Sequence, residues 1–142
     1  MFHAKNYIKV TSLEEAYELN QKKSNAIIGG MLWLKMSNRN MQTAIDLSGL
    51  GLDKIEEQED AFSIGCMCTL RQLEIHEALN RYFGGAMKAC TRHIVGTQFR
   101  NGATVGGSIF GRFGFSDILT CLLALDTYVE LYHAGVIALS EF

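Results

Sequence analysis

Two double glycines govern what this chain can fold into: Gly29-Gly30 after Ile27-Ile28, and Gly106-Gly107 after Thr104-Val105. An apolar, β-branched run that meets a double glycine reads as a strand ending in a tight turn. The second pair lies in Arg100-Asn101-Gly102-Ala103-Thr104-Val105-Gly106-Gly107-Ser108, which holds three glycines and two hydroxyl side chains. Glycine lets a backbone approach closely, and bare N–H groups in such turns suit phosphate oxygens. Together the two turns suit a shared grip on one ligand that carries phosphates. Taken singly, a plain turn is the more common outcome for each. The chain has no G-x-G-x-x-G and no G-K-S/T, so neither a Rossmann nor a P-loop site is supported.

The chain has 14 glycines and no proline, so its turns are made by Gly, Asn and Asp. At 142 residues it is one domain, or two small lobes sharing a ligand. Hydrophobic residues at 48% and charged residues at 20% allow a packed core. A net charge of -2 argues against a nucleic-acid surface or a polybasic membrane contact. The longest apolar run, Ile118 to Leu125, is too short to span a bilayer, and Met1-Phe2-His3-Ala4-Lys5 lacks the layout of a signal peptide. These features suggest a cytoplasmic protein. Cys66, Cys68, Cys90 and Cys121 fit neither a zinc ribbon nor a thioredoxin motif, and read as free thiols, with Cys66 and Cys68 on one strand face. His3, His76, His93 and His133 are scattered and read as surface or packing residues rather than metal ligands.

Tyr7 to Val10 reads as a strand, and Ser12 with Glu15 has capping-box spacing for a following helix. Ala26 to Ile28 is a buried strand, Met31 to Met36 a helix or helical turn, and Thr43 to Leu47 a further strand. Strand, helix and strand in that order predict a small α/β lobe with parallel pairing, over residues 1–51. In residues 52–142, Leu52 to Glu57 and Ala61 to Cys66 form a hairpin. Thr69 caps a helix over Leu70 to Ile75, and Glu77 to Phe83 and Ala86 to Ile94 are helical. Ser116 caps an apolar helix from Asp117 to Leu125, and a hairpin closes around Ala134-Gly135. The expected fold class is α+β, with two lobes.

Order and spacing of several segments resemble the FAD-binding subunit of the molybdenum hydroxylases, the family of xanthine dehydrogenase and carbon monoxide dehydrogenase. The segments are Ile28-Gly29-Gly30-Met31-Leu32 with Lys35; Ile45-Asp46-Leu47-Ser48; Ile64-Gly65-Cys66-Met67-Cys68-Thr69-Leu70; residues 94 to 109; and Ser116-Asp117 with Leu122-Leu123-Ala124-Leu125-Asp126. The stretch around Arg100-Asn101 is the most specific.

The resemblance implies a small α/β lobe and a larger α+β lobe with FAD stretched between them. Ile28, Gly29, Gly30, Met31 and Leu32 correspond to one pyrophosphate turn. Thr104, Val105, Gly106, Gly107 and Ser108 correspond to the other. Arg100 and Asn101 either help to fix the flavin or pin the turn. Asp117 falls where the family places an acidic residue near the FAD ribose or ribityl hydroxyls. Such subunits pass electrons from a partner's iron–sulfur clusters to FAD and on to an acceptor such as NAD. The hydroxylation itself belongs to a molybdopterin subunit, so no catalytic acid or base and no metal ligand is expected here.

The chain departs from the family at Met31-Leu32, where a hydroxyl is usual, and at Ser108, where Asn is usual. It also stops at Phe142, where the family continues with the rest of the larger lobe and a C-terminal domain, so it reads as a fragment. The alternative is a non-catalytic assembly module that kept the fold and binds FAD weakly or not at all. Trp33, with Met31, Leu34 and Met36, reads as core or interface, with flavin contact as the rival. Phe110, Phe113 and Phe115 are expected to fold back over the lobe, with an exposed partner surface as the rival.

Overall fold

The computed structural model describes residues 2–142. The chain opens with β1 (His3–Lys9), α1 (Leu13–Asn20), β2 (Asn25–Ile28) and β3 (Asn40–Asp46). The three strands make one parallel sheet in the order β1-β3-β2. Parallel neighbours cannot be joined by a two-residue turn, so α1 and the long β2–β3 connection carry the chain back. β3 is central, and its Met41, Thr43, Ala44 and Ile45 are all buried, as expected of a strand covered on both faces. β1 lies at an edge and exposes Lys5, Asn6 and Lys9, which discourages pairing with another chain.

The cap of α1 differs in detail from a reciprocal capping box. Ser12 Oγ accepts the Glu15 N–H at 3.1 Å, but the Glu15 carboxylate accepts from the Thr11 N–H and hydroxyl. Past Gly29-Gly30 the chain makes a short 3-10 helix, Leu34–Met36, inside the stretch where the sequence predicts a helical turn.

The remainder begins with the predicted hairpin, β4 (Ile55–Glu57) and β5 (Phe62–Ile64), both shorter than expected. Then come α2 (Leu70–Ile75), α3 (Glu77–Tyr82), α4 (Ala86–Thr91), α5 (Thr97–Gly102), α6 (Val105–Gly111) and α7 (Asp117–Leu123). A hairpin of β6 (Tyr128–Leu131) and β7 (Gly135–Ala138) closes the chain. Thr69 and Gln72 form a full capping box on α2. His76 separates α2 from α3, and its Nδ1 accepts the Leu79 N–H. Gly84 and Gly85 both have positive φ, which lets the chain reverse into α4.

The structure corrects two local expectations. Thr104-Val105 does not end a strand. Thr104 is extended but makes only a single bridge, with Thr69, and its hydroxyl caps α6. Gly106 and Gly107 therefore sit in the first helical turn. The reason is tertiary: that turn lies directly on the backbone of Cys66, and a Cβ at Gly106 would fall 2.7 Å from the Cys66 carbonyl oxygen. Cys66 and Cys68 also lie beyond β5 rather than on it, with Cys66 exposed and Cys68 buried.

Three apolar clusters hold these elements. Ile28, Met41 and Ala44 form one, and Val10, Ala16, Ile45 and Leu47 another, on the parallel sheet. The largest joins α2, α3, α4, α6 and α7 through Leu73, Leu79, Met87, Val105, Ile118 and Leu122. Leu73 is fully buried there. Leu73→Ala is expected to cost about 3 kcal/mol, from lost transfer energy and the cavity left behind. Denaturant unfolding should show the midpoint falling with little change in slope.

Candidate cofactor site

The first glycine turn, which follows β2, meets residues 102–104 at the junction of α5 and α6, just ahead of Gly106-Gly107 in the first turn of α6. A Cβ built on Gly30 would sit 1.5 Å from the Gly102 carbonyl oxygen, and one on Gly29 would sit 2.6 Å from Thr104 Oγ1. Backbone thus rests on backbone, with no room for any side chain at Gly30. Leu32 packs on the face of Gly102, 3.3 Å from where a Cβ would lie. Trp33 meets Phe99 edge-on, with ring centroids 6.1 Å apart. Phe99 and Gly102 are three residues apart on α5 and so face the same way.

The two turns differ in what they offer a ligand. In the second, each N–H is already engaged. Val105 N–H donates to the Cys68 carbonyl at 2.8 Å and Gly106 N–H to the Cys66 carbonyl at 2.9 Å. Gly107 N–H donates to Thr104 Oγ1 and Ser108 N–H to the Thr104 carbonyl. The expected bare donors are therefore absent from residues 105–108. In the first turn, by contrast, none of the six N–H groups of residues 29–34 donates a hydrogen bond among the described residues. Met31 sits in that run at φ 57°, the left-handed region uncommon for a side chain of its size. Successive N–H groups in a turned backbone of this kind make an anion-binding concavity.

The other predicted residues fall in varied places. Ile28 and Val105 are buried packing residues. Ser108 Oγ donates to the Thr104 carbonyl at 2.9 Å, and Asn101 is exposed. Arg100 is 6% exposed and pairs with Glu74 of α2. Its Nε donates to Glu74 Oε2 at 2.7 Å, its Nη2 to Glu74 Oε1 and Thr97 Oγ1, and its Nη1 to the Ile94 carbonyl. With all three nitrogens engaged, Arg100 pins α5 rather than reaching outward. The Arg100 hydrogen bond, opposed by burial and aided by Arg71, holds the Glu74 carboxyl below the usual carboxylate range.

Asp117 opens α7 and lines an open depression of about 440 Å³ with Ala89, Cys90, His93, Thr120 and Cys121. It takes no part in the hydrogen bonds of either turn among the described residues. In that depression, burial and the neighbouring Cys121 push the Cys90 thiol up to about 12, so it is not a thiolate nucleophile at neutral pH. Among the described residues no group of three His, Cys, Asp or Glu side chains could hold a metal ion. Among the described residues no helix is long and apolar enough to cross a membrane.

Sequence reasoning missed Glu74, Phe99 and the contact role of Gly102. It also misplaced the phenylalanines, since Phe110 and Phe115 are 75% and 67% exposed rather than folded back. The i, i+3 spacing of Phe99 and Gly102 was the one available signal for a shared α5 face; nothing in the sequence links Glu74 to Arg100.

A family model described as the FAD binding domain in molybdopterin dehydrogenase matches residues 2–142. The chain belongs to this family, whose cofactor is FAD. It is 33% identical over 131 residues to the nicotine 6-hydroxylase medium subunit of Paenarthrobacter nicotinovorans, covering 88% of this chain and 46% of that protein. It is 26% identical over 140 residues to the uncharacterized protein YgfM of Escherichia coli K12, covering 96% of this chain and 52% of that one. The chain thus spans about half the length of the curated relatives it matches. The fold is also that of a chain of quinoline 2-oxidoreductase from Pseudomonas putida 86, with TM-score 0.81 and 20% identity, over 99% of this chain and 50% of that chain. A run of unpaired N–H groups beside a contact that admits no side chain fits a pyrophosphate.

Arg100→Ala should leave the Glu74 carboxylate without its buried partner and destabilise the fold by about 3–5 kcal/mol in a thermal or denaturant melt. Because the Glu74 carboxyl is held low in the folded state, its contribution is complete above the unfolded carboxylate value of about 4.3. It is lost as pH falls through the lower folded value. The stability gap between wild type and Glu74→Gln should therefore narrow on acidification below about pH 4.3. Gly30→Ala should separate the two turns and cost about 3 kcal/mol or more, read in the same melts. Gly114→Ala, where a Cβ meets nothing within 4 Å, serves as the control.

Proposed function

We propose that this chain is the FAD-holding part of an electron-transfer subunit in a molybdenum-containing hydroxylase or dehydrogenase. Its partners would be an iron–sulfur subunit and a molybdopterin subunit, and it would work in the cytoplasm, where its four free thiols stay reduced. Bound FAD would supply the redox chemistry that links the partner's clusters to an acceptor such as NAD. Residues 1–51 and 52–142 act as two lobes that share the cofactor.

The observation that carries this reading is the asymmetric meeting of the two glycine turns. The unpaired N–H groups of residues 29–34 hold the pyrophosphate. Gly102, Ala103 and Thr104 form the wall against which Gly29 and Gly30 rest, and set the position of that run. Arg100 acts at one remove by pinning α5. Asp117 serves the ribose or ribityl hydroxyls, exposed Asn101 helps to fix the flavin, and Ser108 braces the second turn through its bond to the Thr104 carbonyl. Family membership and the 33%-identical medium subunit support the electron-transfer role.

A second reading is a scaffold module that has lost tight FAD binding. It is favoured by the absence of a hydroxyl at Met31 and by the internal engagement of every N–H from 105 to 108. One measurement separates the two. The purified chain, incubated with FAD and dialysed, should retain a flavin spectrum and release FAD on denaturation, whereas Gly30→Ala should retain about tenfold less or none. An empty wild-type chain that is folded and gains nothing on reconstitution would leave the scaffold reading standing.

A further inference from the structure

Four aromatic rings from three separate parts of the chain meet beside the run of unpaired N–H groups. Trp33 follows β2, Phe99 lies on α5, and Phe113 and Phe115 lie in the loop after α6. Trp33 is 5.7 Å from both Phe113 and Phe115 by ring centroid and 6.1 Å from Phe99. Phe113 and Phe115 stack, 5.2 Å apart with planes within 18°. The rings are not a core: Trp33 is 48% exposed and Phe115 67%. Isolated exposed rings are unremarkable, but a contiguous group of this size marks a surface that receives something apolar.

The backbone around the rings is shaped to present them. The Phe113 ring lies over Gly111, where a Cβ would fall 2.7 Å from Phe113 Cε2. Between them Arg112 is held at φ 48°, a left-handed conformation that a side chain adopts at some cost. Arg112 is tied down by donating to the Phe142 carbonyl and by lying 4.8 Å from the Phe142 ring centroid. A loop strained and anchored in this way fixes where Phe113 and Phe115 stand.

We infer that Trp33, Phe113 and Phe115 form a stacking platform for a planar heteroaromatic ring of the bound dinucleotide. This rests on the reading of residues 29–34 as the pyrophosphate site. Trp33 is itself inside that run, three residues past Gly30 and so within about 11 Å along the chain. A dinucleotide carries a flat ring on each side of its pyrophosphate. A pyrophosphate on these N–H groups therefore brings one of those rings to the cluster, where stacking on exposed aromatic faces holds it.

Trp33 is the sole tryptophan, so its emission reports on the platform alone. Its accessibility to acrylamide is to be measured in the full chain with FAD, ADP, riboflavin or inorganic pyrophosphate. The platform predicts protection by FAD, protection by whichever of ADP or riboflavin carries the ring that docks, and none by pyrophosphate. It also predicts that Phe115→Leu and Trp33→Leu, each folded by circular dichroism, weaken FAD binding about tenfold by equilibrium dialysis. FAD retained with Trp33 accessibility unchanged would overturn the platform while leaving the cofactor assignment intact. Protection by ADP or riboflavin without FAD retention would uphold the platform and count against that assignment. No protection by any ring-bearing ligand would overturn the platform.

Discussion

The close approach of Gly30 to the Gly102 carbonyl is the contact on which the rest of the site depends. Both sides are main chain, so no rotamer change can relieve or restore it. It fixes how the connection after β2 lies on α5, and with it the relation of Leu32 to Gly102 and of Trp33 to Phe99. Its own position is set two residues earlier, where Arg100 is buried against Glu74. A buried ion pair of this kind adds little net stability over an apolar substitute. Its multiple hydrogen bonds to α2, Thr97 and the Ile94 carbonyl instead define one orientation for α5. The chain of dependence runs from α2 through a side-chain pair to a backbone contact.

Much of the framework was legible because its signals are local. Ser12, Thr69 and Ser116 each cap the helix that follows them, as their spacing predicts. The short apolar runs in β2 and β3 pair in parallel, since a long connection and not a hairpin turn joins them. The order of glycine-bearing segments pointed to the family that the comparison then showed. What was not legible depends on distant partners. Thr104-Val105 has strand-like residue types, yet the Cys66 and Cys68 carbonyls capture the Val105 and Gly106 N–H groups and a helix starts there. Local propensity lost to a tertiary contact. Arg100 looked as suited to a ligand as to a structural role, and only the position of Glu74, 26 residues away, separates the two.

The placement of the aromatic residues has a similar cause. Phe113 and Phe115 alternate in a glycine-rich loop whose sequence favours no single path. The left-handed backbone at Arg112 and the bare face of Gly111 decide it, and neither is encoded by a repeating pattern. The loop instead takes its direction from Phe142, thirty residues on, through the Arg112 side chain.

The unequal hydrogen bonding of the two glycine turns bears on preorganisation. The segment 105–108 has its amides tied within the protein, so at the proposed site it would contribute shape at no further loss of chain entropy. Whatever ordering association requires falls on the short segment 29–34, which runs from a half-buried strand into a 3-10 turn. Affinity at such a site is governed less by how many groups converge than by how much freedom that one segment keeps when empty. A change that stiffens residues 31 to 33 would then alter binding without touching a ligand atom.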